Sequence, residues 1–154
     1  MIIDLDRAGL LEDMFGLPHE FVVPDLLFAR ELAGDLGNRL LAKGLRVEAL
    51  TSPEVARATG ILRTRNALST PDTFAFSLAE SRQWVLLTGD GELRKLAQEQ
   101  NVEMHGVLWL FDQFYEGGHV NNARLHAGLT ALHNHPRCRL PAAEIRRRLV
   151  QYII

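Results

Sequence analysis

The sequence predicts an α/β fold: three layers, α/β/α, around a central and mostly parallel sheet, with a helical C-terminal extension. Three observations predict it. Short β-rich runs alternate with longer stretches of helical periodicity, the order expected of βαβ units. The short runs are apolar throughout, which fits strands covered by helices on both faces. Prolines at 24, 53, 71 and 141 stand where first helical residues belong.

In chain order, the expected strands are Met1 to Ile3, Phe21 to Val23, Val47 to Leu50, Val85 to Leu87 and Val102 to Met104. Helical patterns cover 6–15, 24–42, 53–65, 71–82, 91–100, 107–116, 121–133 and 141–152. Ser52 and Thr70 are the expected N-caps before Pro53 and Pro71. The 91–100 helix is marked by Leu93, Leu96 and Ala97 on one face. Leu108, Trp109, Leu110, Phe111 and Phe114 form an apolar cluster expected in the core. The turn at Gly117 and Gly118 divides an α/β domain, 1–118, from a helical extension, 119–154, packed on the same domain.

With 154 residues, a single domain can bury about 68 to 70% of its unfolded surface and needs no disulfide staples. The lone Cys138 makes no internal disulfide, and no early apolar run with a cleavage site is present, so a cytoplasmic protein is expected. No apolar run approaches the ~20 residues that span a bilayer. The net charge of −2 hides an asymmetry: residues 1–54 sum to −5, 55–116 to −2 and 117–154 to +5. Such a division suggests a basic surface for an anionic partner, or an arm that docks on the acidic part.

Three carboxylates carry the functional signal. Asp90 ends the run Leu86-Leu87-Thr88-Gly89-Asp90 and opens a helix, at the carboxyl edge where open α/β sheets collect chemistry. The competing reading is that Thr88 and Asp90 only cap that helix. Asp72, in Ser69-Thr70-Pro71-Asp72, falls in a first helical turn and shares a stripe with Ala75, Phe76 and Ala79. Glu31 lies mid-helix near an apolar face, with Arg39 or Arg30 as structural partners in the plainer reading. Like charges drawn that close need a cation to hold them. Carboxylate oxygens suit Mg²⁺ or Mn²⁺, which activates water against phosphodiesters.

The order Ser69-Thr70-Pro71-Asp72, Phe74-Ala75-Phe76-Ser77-Leu78-Ala79, Leu86-Leu87-Thr88-Gly89-Asp90, Leu93-Arg94-Lys95-Leu96-Ala97 and Val102-Glu103-Met104-His105-Gly106 resembles the PIN-domain family, as found in ribonuclease toxins of toxin–antitoxin pairs. Val22-Val23-Pro24 followed by Glu31 resembles the family's strand-to-helix segment with its acidic residue. The resemblance implies metal ligands at Glu31, Asp72 and Asp90, support from Ser69 and Thr88, and Mg²⁺- or Mn²⁺-dependent RNA cleavage. It also implies homodimers and a cognate antitoxin protein. The family's first acid has two placements. In one it precedes Met1, so the set is incomplete and the chain is a PIN-like binding module; in the other it is Asp4.

Arg57, Arg63 and Arg65 precede Asp72 in an acid-free span, and Arg137 and Arg139 lie near the C-terminus. Their bidentate forks suit RNA phosphate, and a solvated or ion-paired helix face is the alternative. A haloacid-dehalogenase-type phosphohydrolase is a remote alternative, from Ile2-Ile3-Asp4-Leu5-Asp6 and Thr88-Gly89-Asp90-Gly91. His133, His135 and Cys138 have a weak zinc spacing and read as a solvated loop.

Overall fold

A computed structural model describes residues 1–153. The chain runs through helix α1 (Ile2–Arg7), a 3-10 turn (Glu12–Gly16), strand β1 (Val22–Pro24) and a helical turn α2 (Asp25–Leu27) that widens into a π turn (Phe28–Leu32). Then follow α3 (Asp35–Lys43), β2 (Arg46–Glu48), α4 (Ser52–Thr64), α5 (Thr70–Arg82), β3 (Leu86–Leu87), α6 (Gly91–Glu99) and β4 (Met104–His105). The order ends with α7 (Val107–Gly117), α8 (Asn122–Asn134) and α9 (Ala142–Ile153).

The expected three-layer architecture around one mostly parallel sheet is not what forms. Helix accounts for 65% and strand for 7%, and the strands pair only in twos, β1 with β2 and β3 with β4, both parallel. Each strand is two or three residues long, against a usual five or so, and makes too few ladder bonds to carry a sheet. The helices build the core instead. Met1 to Ile3, expected as a strand, opens into α1 with Asp4 in its first turn and Leu5 fully buried. A three-residue apolar run has no period of its own, so it does not separate a strand from a helix start. The strand-borne aspartate needed by the phosphohydrolase reading is therefore missing.

The chain forms two compact units. In the unit of residues 19–105, α5 packs against α4, α2, α6, β1 and β3. Its core joins Ile61, Leu68, Phe76, Ala79, Leu86, Leu93, Leu96 and Ala97. The β3–β4 ladder is held by Leu86 N–H donating to the Glu103 carbonyl at 2.9 Å and Thr88 N–H to that of His105 at 3.0 Å.

Position in this unit is fixed by a buried acid. Thr51, not Ser52, caps α4 in a capping box with Glu54: the Thr51 N–H donates to Glu54 Oε1 at 2.8 Å. Glu54 is only 3% exposed, which would be costly for a carboxylate without partners. Arg82 Nε donates to its Oε2 at 3.1 Å and Nη2 to its Oε1 at 3.3 Å. The same guanidinium reaches Glu48 in β2 and lies over the Trp84 ring, 5.4 Å from its centroid. Ser77 Oγ donates to the Glu54 carbonyl at 2.7 Å. Burial pushes the Glu54 carboxyl up, but the bonds from Arg82, Thr51 and Ser81 prevail and lower it to about 2.

The other unit comprises residues 1–18 and the described part of 106–154. Here α1 and α7 pack against α8, and α8 against α9. Leu110, Phe111 and Phe114 of the expected aromatic cluster are fully buried with Leu125, Leu129 and Ile145, while Leu108 and Trp109 are half-buried. Arg148 of α9 forks onto Asp112 of α7, both bonds 2.8 Å. Arg124 of α8 clasps Asp13. Among the described residues no helix is long and apolar enough to cross a membrane.

The lowered carboxyl of Glu54 sets a pH dependence. Its contribution to stability is complete above the ordinary glutamate range and is lost as pH falls from there toward about 2. Glu54→Gln should flatten this acid limb and lower the melting midpoint at neutral pH by on the order of 5 °C. Circular-dichroism melts from neutral to acid pH check both; an unchanged acid limb would remove Glu54 from the account.

Candidate functional site

The 24–42 segment, expected as one helix, is broken where Glu31 stands. After α2 the backbone widens into the π turn Phe28–Leu32, and at Gly34 it takes φ 111°, a conformation that favours glycine. Gly37 allows the close packing that follows, since a Cβ there would fall 2.8 Å from Phe28 Cζ. The result places Glu31 on an irregular, exposed turn and not on an apolar helix face. Among the described residues it pairs with neither Arg30 nor Arg39. π turns inserted in helices often mark sites where a side chain must be aimed.

Asp72 is half-buried in the first turn of α5. Ser69, not Thr70, is the cap, its Oγ accepting from the Asp72 N–H at 3.2 Å. Asp72 lies near enough to act on Glu31: partial loss of hydration, and then the negative charge of Asp72, raise the Glu31 carboxyl above its ordinary range against a smaller opposing pull from the chain's amino group. The structure thus brings Glu31 and Asp72 into one another's field. No basic side chain forms an ion pair with either among the described residues.

Asp90 has a local task. Its Oδ1 accepts from the Leu93 N–H at 2.9 Å as the N-cap of α6. The buried Thr88 turns its Oγ1 to accept from the Asp90 N–H at 3.1 Å. The capping alternative weighed for these two residues describes their bonding. Asp4 belongs to the other unit, in the first turn of α1, with the chain's amino group 3.6 Å from its Oδ2.

These placements correct the metal expectation. Among the described residues no group of three or more His, Cys, Asp or Glu is able to hold a metal ion. Glu31, Asp72, Asp90 and Asp4 do not make an Mg²⁺ or Mn²⁺ centre, and His133, His135 and Cys138 do not make a zinc site. The expectations of a magnesium or manganese cofactor and of a metal-dependent ribonuclease fall with that centre.

The unit of residues 19–105 has an open groove of about 460 Å³. Leu26, Ala29, Leu50, Val55 and Phe74 line it, with Asp25 as its acidic member. It has no sequence signature, because its walls come from α2, the π turn, the β2–α4 loop, α4 and α5. The arginines expected at RNA divide. Arg57 forks onto Glu80 at 2.9 and 3.1 Å and Arg65 pairs with Glu99, bracing α4 against α5 and α6. Arg63, Arg137 and Arg139 are exposed and unpaired with carboxylates among the described residues.

Short parallel strand pairs among packed helices, with acids at strand-to-helix junctions, define a mainly helical class of domain. The chain belongs to the PIN-domain family: the family model described as "DUF3368: PIN domain" matches residues 1–152. No curated protein and no solved structure matches it.

Two substitutions separate these roles. Asp90→Ala removes a cap and should cost about 1 kcal/mol in denaturant unfolding, while Asp90→Asn retains most of it; equal losses would contradict the capping assignment. Because the Glu31 carboxyl is raised, the folded protein is penalised as pH rises through its titration. Glu31→Gln should therefore melt higher than the parent at neutral pH, with the gain vanishing in acid. A gain that persists at low pH would mean that charge is not its source.

Proposed function

We propose that this chain is a PIN-family binding module whose acidic pair, Glu31 and Asp72, with the groove of the same unit receives a cationic and partly apolar segment of a partner protein. The observation that carries this is the pair itself. Two carboxylates share a field that the chain's amino group offsets only in part, neither forms an ion pair with an arginine or lysine among the described residues, and no metal-holding group forms around them there. A guanidinium or ammonium from a partner relieves that repulsion, and apolar side chains in the groove add area removed from water. A cognate antitoxin-type protein, as the resemblance implies, is a partner of this chemistry, and a cytoplasmic setting accompanies it.

In this reading Glu31 and Asp72 bind, Asp90 positions α6, and Ser69 and Thr88 hold the turns that present them. Contacts to RNA phosphate are assigned separately to Arg63 in one unit and to Arg137 and Arg139 in the other, favoured by their exposure and lack of carboxylate partners among the described residues. Arg57 and Arg65 serve there only by exchanging Glu80 and Glu99 for phosphate.

The test is calorimetric titration with a short peptide holding two arginines and a leucine, beside its lysine-free, arginine-to-glutamine control. Binding should weaken with salt and fall at least tenfold in Glu31→Lys, a loss of about 1.4 kcal/mol. Equal binding of the control peptide, or unchanged affinity in Glu31→Lys, would overturn the reading.

A further inference from the structure

Helix α8 ends in a turn built around one imidazole. The His135 N–H donates to the Leu132 carbonyl at 3.2 Å and closes the helix, and the His135 carbonyl accepts from the Cys138 N–H at 3.0 Å. Pro136 stands in the second position of that turn, which suits its fixed φ, and has no N–H to satisfy. The amide of Arg137 remains, and it donates to His135 Nδ1 at 3.1 Å. The ring does here what an Asn or Asp side chain does for the backbone two residues on. A nitrogen that accepts a hydrogen bond carries no proton, so the neutral ring holds its hydrogen on Nε2.

A proton on Nδ1 ends this arrangement. The imidazolium is a donor at both nitrogens, so it releases the Arg137 amide and becomes a third cation in the stretch that holds Arg137 and Arg139, both exposed. The surrounding charges leave it open to a ligand. His133 and Cys138 share its stretch of chain, and no carboxylate pairs with His135 among the described residues. At the start of α9, Arg146 is exposed and Glu144 is taken by Arg147 and Arg148. Of the other elements packed on α8, α7 brings Asp112, which Arg148 holds, and Glu116, next to the α7–α8 turn. Helix α1, with Asp4, Asp6 and Arg7, leads into Ala8, whose backbone meets α8 at Gly128, and Asp13 beyond it is held by Arg124.

We propose that the α8–α9 turn is a phosphate-binding site that a proton opens. Neutral His135 is spent as the acceptor for its own turn, and protonated His135 joins Arg137 and Arg139 as a third donor to an anionic phosphate group. The proposal rests on the reading of Arg137 and Arg139 as contacts to RNA phosphate, and it adds His135 as the residue that makes this contact depend on pH. The coupling is reciprocal: a bound phosphate favours the imidazolium, so binding at the turn takes up a proton.

Fluorescence anisotropy of a labelled single-stranded oligouridylate, titrated with the full chain between about pH 8 and about pH 5, spans the range in which imidazoles take a proton. His135→Asn keeps an acceptor for the Arg137 N–H and cannot be charged. It should match the wild type at the alkaline end and bind about threefold less tightly at the acid end, the scale of one exposed charge contact. His135→Lys, a cation with no acceptor, should bind about threefold more tightly than the wild type at the alkaline end. Nitrogen-15 NMR of histidine-labelled protein should show the neutral ring of His135 protonated at Nε2 and bare at Nδ1. An Asn variant with the full acid gain of the wild type, a Lys variant no tighter than the wild type, or a neutral ring protonated at Nδ1 would overturn the proposal. The double variant Arg137→Gln, Arg139→Gln separates the two readings. If it binds more weakly while His135→Asn matches the wild type at every pH, only the proton dependence fails; if it binds like the wild type, the phosphate contact itself fails.

Discussion

Glu54 is the constraint around which the 19–105 unit is organised. A carboxylate so deeply buried is unfavourable until it is given donors, and each donor comes from a different place: the Thr51 amide from the start of α4, the Arg82 guanidinium from the end of α5. Satisfying one acid therefore fixes the angle between two helices. Arg82 extends the constraint to β2 through Glu48 and to the approach of β3 through Trp84. With its far end held in this way, and Thr73 and Ser77 buried along its length, α5 presents its first turn, and hence Asp72, in a fixed position. The second unit uses the same device once more, where Arg148 is held by Asp112 between α9 and α7.

The two sorts of acid in the molecule differ in what surrounds them. Glu54 is surrounded by donors and is held ionised. Glu31 faces another carboxylate and is pushed toward protonation. The first arrangement builds the fold and leaves nothing for a ligand, whereas the second leaves a charge imbalance that binding can relieve. Three converged carboxylates would have invited a divalent ion, and no such group forms among the described residues, where Asp90 Oδ1 caps the N-terminus of α6. That difference separates a PIN-family chain built for metal chemistry from one read here as a binding module.

Much of the helical framework was legible in the sequence, since Pro53, Pro71 and the spacing of Leu93, Leu96 and Ala97 are local signals that packing did not override. The sheet was not. Apolar runs such as Val22-Val23 and Leu86-Leu87 do pair in parallel, but how many neighbours a strand acquires is a tertiary matter that composition does not record. The π turn at Glu31 was hidden because the close approach of Gly37 to Phe28 that accompanies it joins residues nine apart, which periodicity does not register. The capping box at Thr51 and Glu54 was a readable signal, since Thr-x-x-Glu spans Pro53, but Ser52 directly before the proline offers a competing cap. The acids at 31 and 72 were found by pattern, and their mutual field was expected from like charge. Whether three acids converge depends on hydrogen bonds that spacing does not give, and there the metal expectation failed.

The central claim is that Glu31 and Asp72 form a charge pair open to a partner's cation and not part of a metal centre. Titration of Mn²⁺ into the full chain, followed by the electron paramagnetic resonance signal of the free ion, tests it most directly. The account predicts a free-ion signal as large with the protein as without it, and identical for Asp72→Asn. Loss of one Mn²⁺ per chain from the free signal, restored by Asp72→Asn, would contradict it.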